Sequence, residues 1–168
     1  IQYMPLDSML RAAADIAPGS ENLIFHPYLN GERTPHMDSR LTGTFSGLSG
    51  EHQSGHFTRA VLEGVAFAMR DCLETLHEIG AYPERMVFSG GGSKIELWGR
   101  IFASVLNTRL VTFRHSEQTA LGAAMLAALS ADQFQDEAEA AAAWVQQGDT
   151  IEPVAEWVPI YEERYAVY

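Results

Sequence analysis

Three consecutive glycines, Gly90-Gly91-Gly92, stand between an apolar run and a helical pattern, and this junction restricts the fold more than any other stretch. Met86-Val87-Phe88 feeds into it as a short buried strand. Ser93 is placed to cap the helix that Ile95-Glu96-Leu97-Trp98 opens. A second apolar run, Arg109-Leu110-Val111-Thr112-Phe113, follows one helix later. That spacing predicts a βαβ unit, with the strand ending at Phe88 parallel to the one running Leu110 to Phe113, in one sheet covered by helices. Glycines at such a turn allow positive φ, and without a Cβ they let a ligand lie against the backbone. The helix start behind them offers free N–H groups. A tight connection without a ligand satisfies the same pattern. Two familiar nucleotide loops do not. The dinucleotide fingerprint needs a third glycine where Ile95 stands, and a Walker A loop needs Ser or Thr after Lys94.

The length of 168 residues suits a single domain, spanning 1–168, with a core of useful size. A net charge of −11 speaks against nucleic acid or an anionic membrane surface as a partner. The charge is uneven. Residues 130–168 hold nine acids and one base, and residues 1–129 hold thirteen acids and ten bases. The glycine-bearing part is therefore nearly neutral and can accept a polyanion such as ATP with magnesium. No apolar run approaches the roughly 20 residues of a membrane span, and no signal peptide opens the chain. The start at Ile1 and the helical pattern still running at the end read as a fragment of a longer protein. Cys72, the single cysteine, sits in a helical apolar pattern and reads as a buried thiol, which makes a reducing cytoplasm the simplest compartment. The sequence leaves a homodimer open.

In chain order, Pro5 to Ile16 reads as a helix and Leu23 to Leu29 as a strand bent at Pro27. Asn30 to Arg40 is polar, with two arginines, two acids and a histidine. It reads either as a surface loop with internal ion pairs or as the lining of a polar cleft. In the second case Arg33 and Arg40 meet phosphate oxygens, and Glu32 or Asp38 orients them or a hydrated metal. No histidine pair stands at metal-ligand spacing, so neither His36 nor the scattered His26, His52, His56, His77 and His115 reads as a metal site. Gly43 to Leu48 is a short strand. From Ser54 or Gly55 the longest helix runs to Gly80, with Phe57, Val61, Val65, Ala68, Cys72, Leu76 and Ile79 as its apolar stripe. Glu63 and Gly64 interrupt it, Glu63 as an exposed or capped carboxylate or as a buried polar contact that positions the glycine turn. Glu117 to Leu129 reads as a helix whose small residues permit close approach to a neighbouring helix or sheet, Asp136 to Val145 as a short helix, Gly148 to Pro159 as a linker or an irregular lap across the surface, and Ile160 to Tyr168 as a final helix cut short.

Gly43-Thr-Phe-Ser-Gly-Leu48, then His56-Phe57, then Ala60-Val61-Leu62-Glu63 resemble a signature of the FGGY carbohydrate kinases. Phe88-Ser-Gly-Gly-Gly-Ser-Lys94 is similar to the family's adenosine-binding turn, and Ala120-Leu-Gly-Ala-Ala124 to its closing helix. Pro27 to His36 is most similar to the branch of the family acting on D-xylulose. The resemblance implies an α/β, actin-like ATPase domain of the ribonuclease-H class, the C-terminal one of a pair. It implies Gly90, Gly91, Gly92 and Ser93 along adenine and ribose, with ATP and Mg2+ as the full-length enzyme's cofactors and the sugar held mainly by the other domain. The asparagine that some members carry after the glycines is replaced here by Lys94-Ile95-Glu96. The family's Gly-Gly-Asp-like motif with the general-base aspartate and its Gly-Thr-Ser turn on the γ-phosphate do not occur in the chain, so no catalytic residue is expected within it. Kinases of ribulose, gluconate, fuculose or glycerol are the near alternatives. A non-kinase actin-like ATPase is the distant one, and an oxidoreductase domain is disfavoured by Ile95.

Overall fold

The computed structural model describes residues 4–114 and 117–168. Its elements are α1 (Leu6–Ala14), β1 (Ile24–His26), β2 (Thr44–Ser46), α2 (Ser54–Glu78), β3 (Arg85–Val87), α3 (Glu96–Val105), β4 (Arg109–Phe113), α4 (Gln118–Ser130), α5 (Glu137–Trp144), β5 (Gln147–Ile151) and α6 (Val158–Tyr165). β1 and β2 form an antiparallel pair, and β3-β4-β5 form a mixed sheet. Within that sheet Met86 pairs with Leu110 in parallel, as the strand–helix–strand spacing predicts. β5 joins β4 antiparallel, with Leu110 opposite Ile151.

The 25-residue α2 is the spine. The Gln53 side chain accepts the N–H of His56 while His56 Nδ1 accepts the N–H of Gln53, a reciprocal cap that fixes its start. At the other end Gly80 turns the chain out at φ 84°. The two glycines within α2 mark close crossings rather than kinks. A Cβ on Gly55 would lie 2.6 Å from the Ala12 carbonyl oxygen of α1, and one on Gly64 would lie 2.0 Å from the Phe25 carbonyl oxygen of β1. α3 packs on the opposite flank. Leu62, Ala66, Phe67 and Leu73 of α2 meet Ile101, Phe102 and Val105 of α3, Leu110 of β4 and Tyr161 of α6 in one core.

Several expectations change here. The stripe from Phe57 to Ile79 is not the buried face of α2. Because α1 and β1 grip one side and α3 and α6 the other, burial falls on Gly55, His56, Arg59, Ala60, Leu62, Glu63, Gly64, Ala66, Phe67 and Leu73. The stripe follows the seam between these contacts, and Ile79 at its end is 76% exposed. β3 is not a buried strand: it is the sheet edge, with Val87 56% exposed. Residues 147–151, all but the first of them in the stretch read as a linker, form β5. Its polar sequence Gln-Gly-Asp-Thr hides the signal because it is a half-exposed edge ordered by pairing with β4. Of the two neighbours that the small residues of α4 allow, a helix or the sheet, it takes the helix. Among its described residues only Ala128 is buried, and α4 packs on α5. The last helix ends at Tyr165, and the Tyr168 hydroxyl beyond it donates to the Tyr28 hydroxyl at 2.9 Å.

Candidate functional site

The glycine turn leaves the edge strand through Phe88, whose N–H donates to the Val111 carbonyl at 2.9 Å and so keeps the turn in register with β4. Gly90 then adopts φ 86°, a conformation that side-chain-bearing residues rarely take. Gly91 to Lys94 form a single 3-10 turn. Ser93 does not cap α3. Its N–H and its Oγ both fold back on the Gly90 carbonyl, at 3.2 and 2.7 Å, closing the turn on itself. α3 instead starts at Glu96, after Ile95, with no side-chain cap.

The three glycines have different reasons to be glycine. Gly90 needs its positive φ. Gly92 needs space, because a Cβ there would lie 2.8 Å from the Trp98 ring. Gly91 needs neither: its φ is ordinary and a Cβ would meet nothing within 4 Å. Next to Gly92, Val65, Met69, Met86, Phe88 and Trp98 line an apolar hollow of about 330 Å³. On the other side Ser93, Lys94, Thr112, Arg114 and Asp149 line a polar one of about 380 Å³. An exposed, Cβ-free backbone between an apolar and a polar hollow can receive a flat heterocycle with a polar extension.

The loop from Asn30 to Arg40 turns its charges on one another. Arg40 grips both carboxylate oxygens of Asp38, at 3.0 and 2.8 Å. This holds the Asp38 carboxyl below its ordinary range and pushes the Arg40 guanidinium up. Glu32 accepts the N–H of Thr34 and, at 2.7 Å, that of His36. Arg33 is exposed and makes no ion pair among the described residues. The loop is tied to α2: His36 Nε2 lies 3.4 Å from Asp71, and the Tyr28 hydroxyl donates to Asp71 at 3.3 Å. The Cys72 thiol points at the Thr34 carbonyl at 3.4 Å. It is partly exposed rather than buried, and its partial burial pushes it above the usual thiol value. No hydrogen bond or ion pair among the described residues joins this loop to the glycine turn. None of their His, Cys, Asp and Glu side chains form a group of three or more placed to hold a metal ion. His115 lies outside the described residues.

Glu63 is a buried polar contact, as one of the two readings expects, but it does not position the glycine turn. It is 2% exposed and serves a different loop. It accepts from the Gly19 N–H at 3.0 Å, the Ser20 hydroxyl at 2.8 Å, Arg59 Nε at 2.8 Å and the Tyr161 hydroxyl at 2.8 Å. Arg59, 1% exposed, also donates to the carbonyls of Ala13 and Ile16 and to Tyr161, and its guanidinium lies 4.9 Å from the Trp157 ring centre. Burial first, and then the Glu63 charge, push the Tyr161 hydroxyl far above its usual value, so it remains a donor. This hub holds a costly backbone: Ser20, Glu21 and Asn22 run through the left-handed region at φ 49°, 51° and 73°. Its sequence signal was the Arg59–Glu63 spacing of four inside an otherwise apolar helix segment.

Comparison with known proteins agrees with this geometry. Residues 5–131 match the model of the FGGY family of carbohydrate kinases, C-terminal domain. A xylulose kinase of Bacillus subtilis is 34% identical over 162 residues, which is 96% of this chain and 32% of that protein. The structure of a ligand-bound xylulose kinase from Lactobacillus acidophilus superposes with a TM-score of 0.86 at 30% identity, over 96% of this chain and 33% of that one. A gluconate kinase from the same organism superposes with a TM-score of 0.85 at 30% identity and the same coverage. The chain thus spans about a third of the length of these relatives, whose family has the actin-like ATPase fold expected from the sequence. With its strand–glycine–helix junction, its mixed sheet and a family match over most of its length, the chain belongs to the FGGY family of carbohydrate kinases, in the part that forms their C-terminal domain.

Proposed function

We propose that the chain is the nucleotide-binding part of an ATP-dependent carbohydrate kinase that moves the γ-phosphoryl group of ATP to a sugar hydroxyl, with D-xylulose as the sugar and D-xylulose 5-phosphate as the product. The observation that carries the nucleotide role is Gly91. Nothing in its own φ or its own surroundings requires glycine, so the space a side chain would fill is free for a ligand. In this reading the Gly90–Gly91–Gly92 backbone lies along adenine and ribose, the apolar hollow at Gly92 takes the base, and Ser93 stiffens the turn. The similarity to xylulose kinases supports the choice of sugar. The gluconate kinase neighbour keeps that substrate as the second reading.

Phosphoryl transfer is mostly positioning and charge neutralisation. The sequence holds neither a Gly-Gly-Asp run nor a Gly-Thr-Ser run to supply a base or a γ-phosphate turn. Among the described residues no three His, Cys, Asp or Glu side chains are grouped to hold a metal ion. Glu32, Arg33, Asp38 and Arg40 remain candidates for a loop facing the cleft, with Asp38 and Arg40 paired within it. The test is a coupled ADP-release assay on the full-length protein across D-xylulose, ribulose, gluconate and glycerol. We expect D-xylulose to be preferred and the 168-residue chain alone to be silent. A preference for gluconate selects the second reading, and turnover by the chain alone refutes the division of roles.

A further inference from the structure

Trp98 stands directly under the glycine turn. Its ring carbons lie 2.8 and 3.0 Å from where a Cβ on Gly92 would sit, so Gly92 rests on the indole at closest approach. The indole cannot drop away. Its Nε1–H donates to the Leu62 carbonyl of α2 at 3.0 Å, and its ring packs against Phe102, 5.7 Å between centres, which in turn meets Phe88 at 5.1 Å. Leu62 is adjacent to Glu63 and is itself buried, so the acceptor end of this link sits in the core. The same ring forms part of two walls. On one side it closes the apolar hollow at Gly92, and on the other, with Met9, Leu10, Phe57, Val61 and Ile95, it closes a larger apolar hollow of about 670 Å³.

We infer that Trp98 is the positioning residue of the nucleotide turn: its indole, fixed from α2, sets the height of the Gly90–Ser93 backbone and transmits occupation of the turn to α2. This rests on the nucleotide reading of the turn. The chemistry is steric and local. Glycine at 92 and a wide flat ring at 98 are matched choices, because any side chain at 92 lifts the turn and any smaller side chain at 98 lets it fall. The indole N–H supplies the direction, since a phenyl ring fills part of the space without the bond to Leu62.

The test is a two-residue cycle on the ¹⁵N-labelled chain titrated with ATP and, separately, ADP. In the unaltered chain we expect the Ser89–Glu96 amides and the Trp98 indole N–H to shift along one saturation curve, with the indoles of Trp144 and Trp157 unmoved. Gly92→Ala should weaken binding by about tenfold or more. In the Trp98→Leu background, where the ring is gone, adding Gly92→Ala should change binding by less than about twofold. Trp98→Phe should fall between, with its folded fraction checked by urea unfolding, and it carries the test alone if the leucine variant does not fold. A silent Trp98 indole beside responding Ser89–Glu96 amides, or penalties at 92 and 98 that simply add, overturns this inference and leaves the nucleotide reading standing. No response from Ser89–Glu96, in the chain or in the full-length protein carrying it, overturns both.

Discussion

The Arg59–Glu63–Tyr161 hub and the glycine turn are constrained in opposite ways. In the hub, two charges and a phenol are buried, and every oxygen of Glu63 is occupied by donors from the same chain. Nothing is left over for a ligand. At the turn the only side-chain hydrogen bond among the described residues is Ser93 closing on Gly90, and a Cβ on Gly90 or Gly91 would meet nothing within 4 Å. Polar groups that satisfy one another mark architecture. A rigid backbone with room left beside it marks a site.

The contrast breaks most readily at the hub. Glu63→Ala leaves Arg59 buried without its partner and releases the Gly19–Ser20 backbone. It should cost about 3–5 kcal/mol in urea unfolding. A loss below about 1 kcal/mol would mean that the hub is incidental. At the turn, Gly92→Ala should cost about 1–3 kcal/mol through collision with Trp98. Gly91→Ala should stay within about 0.5 kcal/mol of the unaltered chain while weakening nucleotide binding. If Gly91→Ala destabilises as much as Gly92→Ala, the space beside Gly91 is not free.

Much of the fold was legible in the sequence, and the failures have physical causes. The βαβ unit, α2 with both its ends, and the role of Gly80 follow from period and turn chemistry, which are local. The buried face of α2 was misread because apolar periodicity finds one stripe, whereas α2 is gripped from two sides and buries Arg59 and Glu63 between them. Gly64 reads from the sequence as an interruption of the helix, and in the fold it is the contact point of the crossing β1. β5 was invisible because an edge strand takes its order from its partner. The hub could not be completed from sequence, since Tyr161 lies 98 residues from Glu63.

Smaller effects sharpen the contrast at the loop. Asp38→Asn removes an exposed ion pair and should leave the urea midpoint unchanged, since such pairs contribute little. A clear loss would make the loop part of the architecture instead. His26 stacks on Tyr168 at 4.7 Å, and burial lowers its pKa, with Asp71 pulling the other way. The folded chain therefore resists a proton that the unfolded chain accepts. The stability this ring contributes is present at neutral pH and declines slightly on mild acidification. An NMR titration should place its midpoint below the ordinary imidazole value, and a midpoint above that value would show Asp71 outweighing burial.

The central claim is that the open backbone at Gly90–Ser93 is there for a nucleotide. ATP titration of the chain and of its Gly91→Ala variant, followed through the amide resonances of Ser89 to Glu96, tests it most directly. The account predicts weak, saturable shifts confined to this turn and its immediate neighbours, with a dissociation constant near millimolar, on the order of 4 kcal/mol, and a loss of those shifts in a variant that folds as well as the original. Equal shifts in both proteins, or none in either the chain or the full-length protein carrying it, would contradict it.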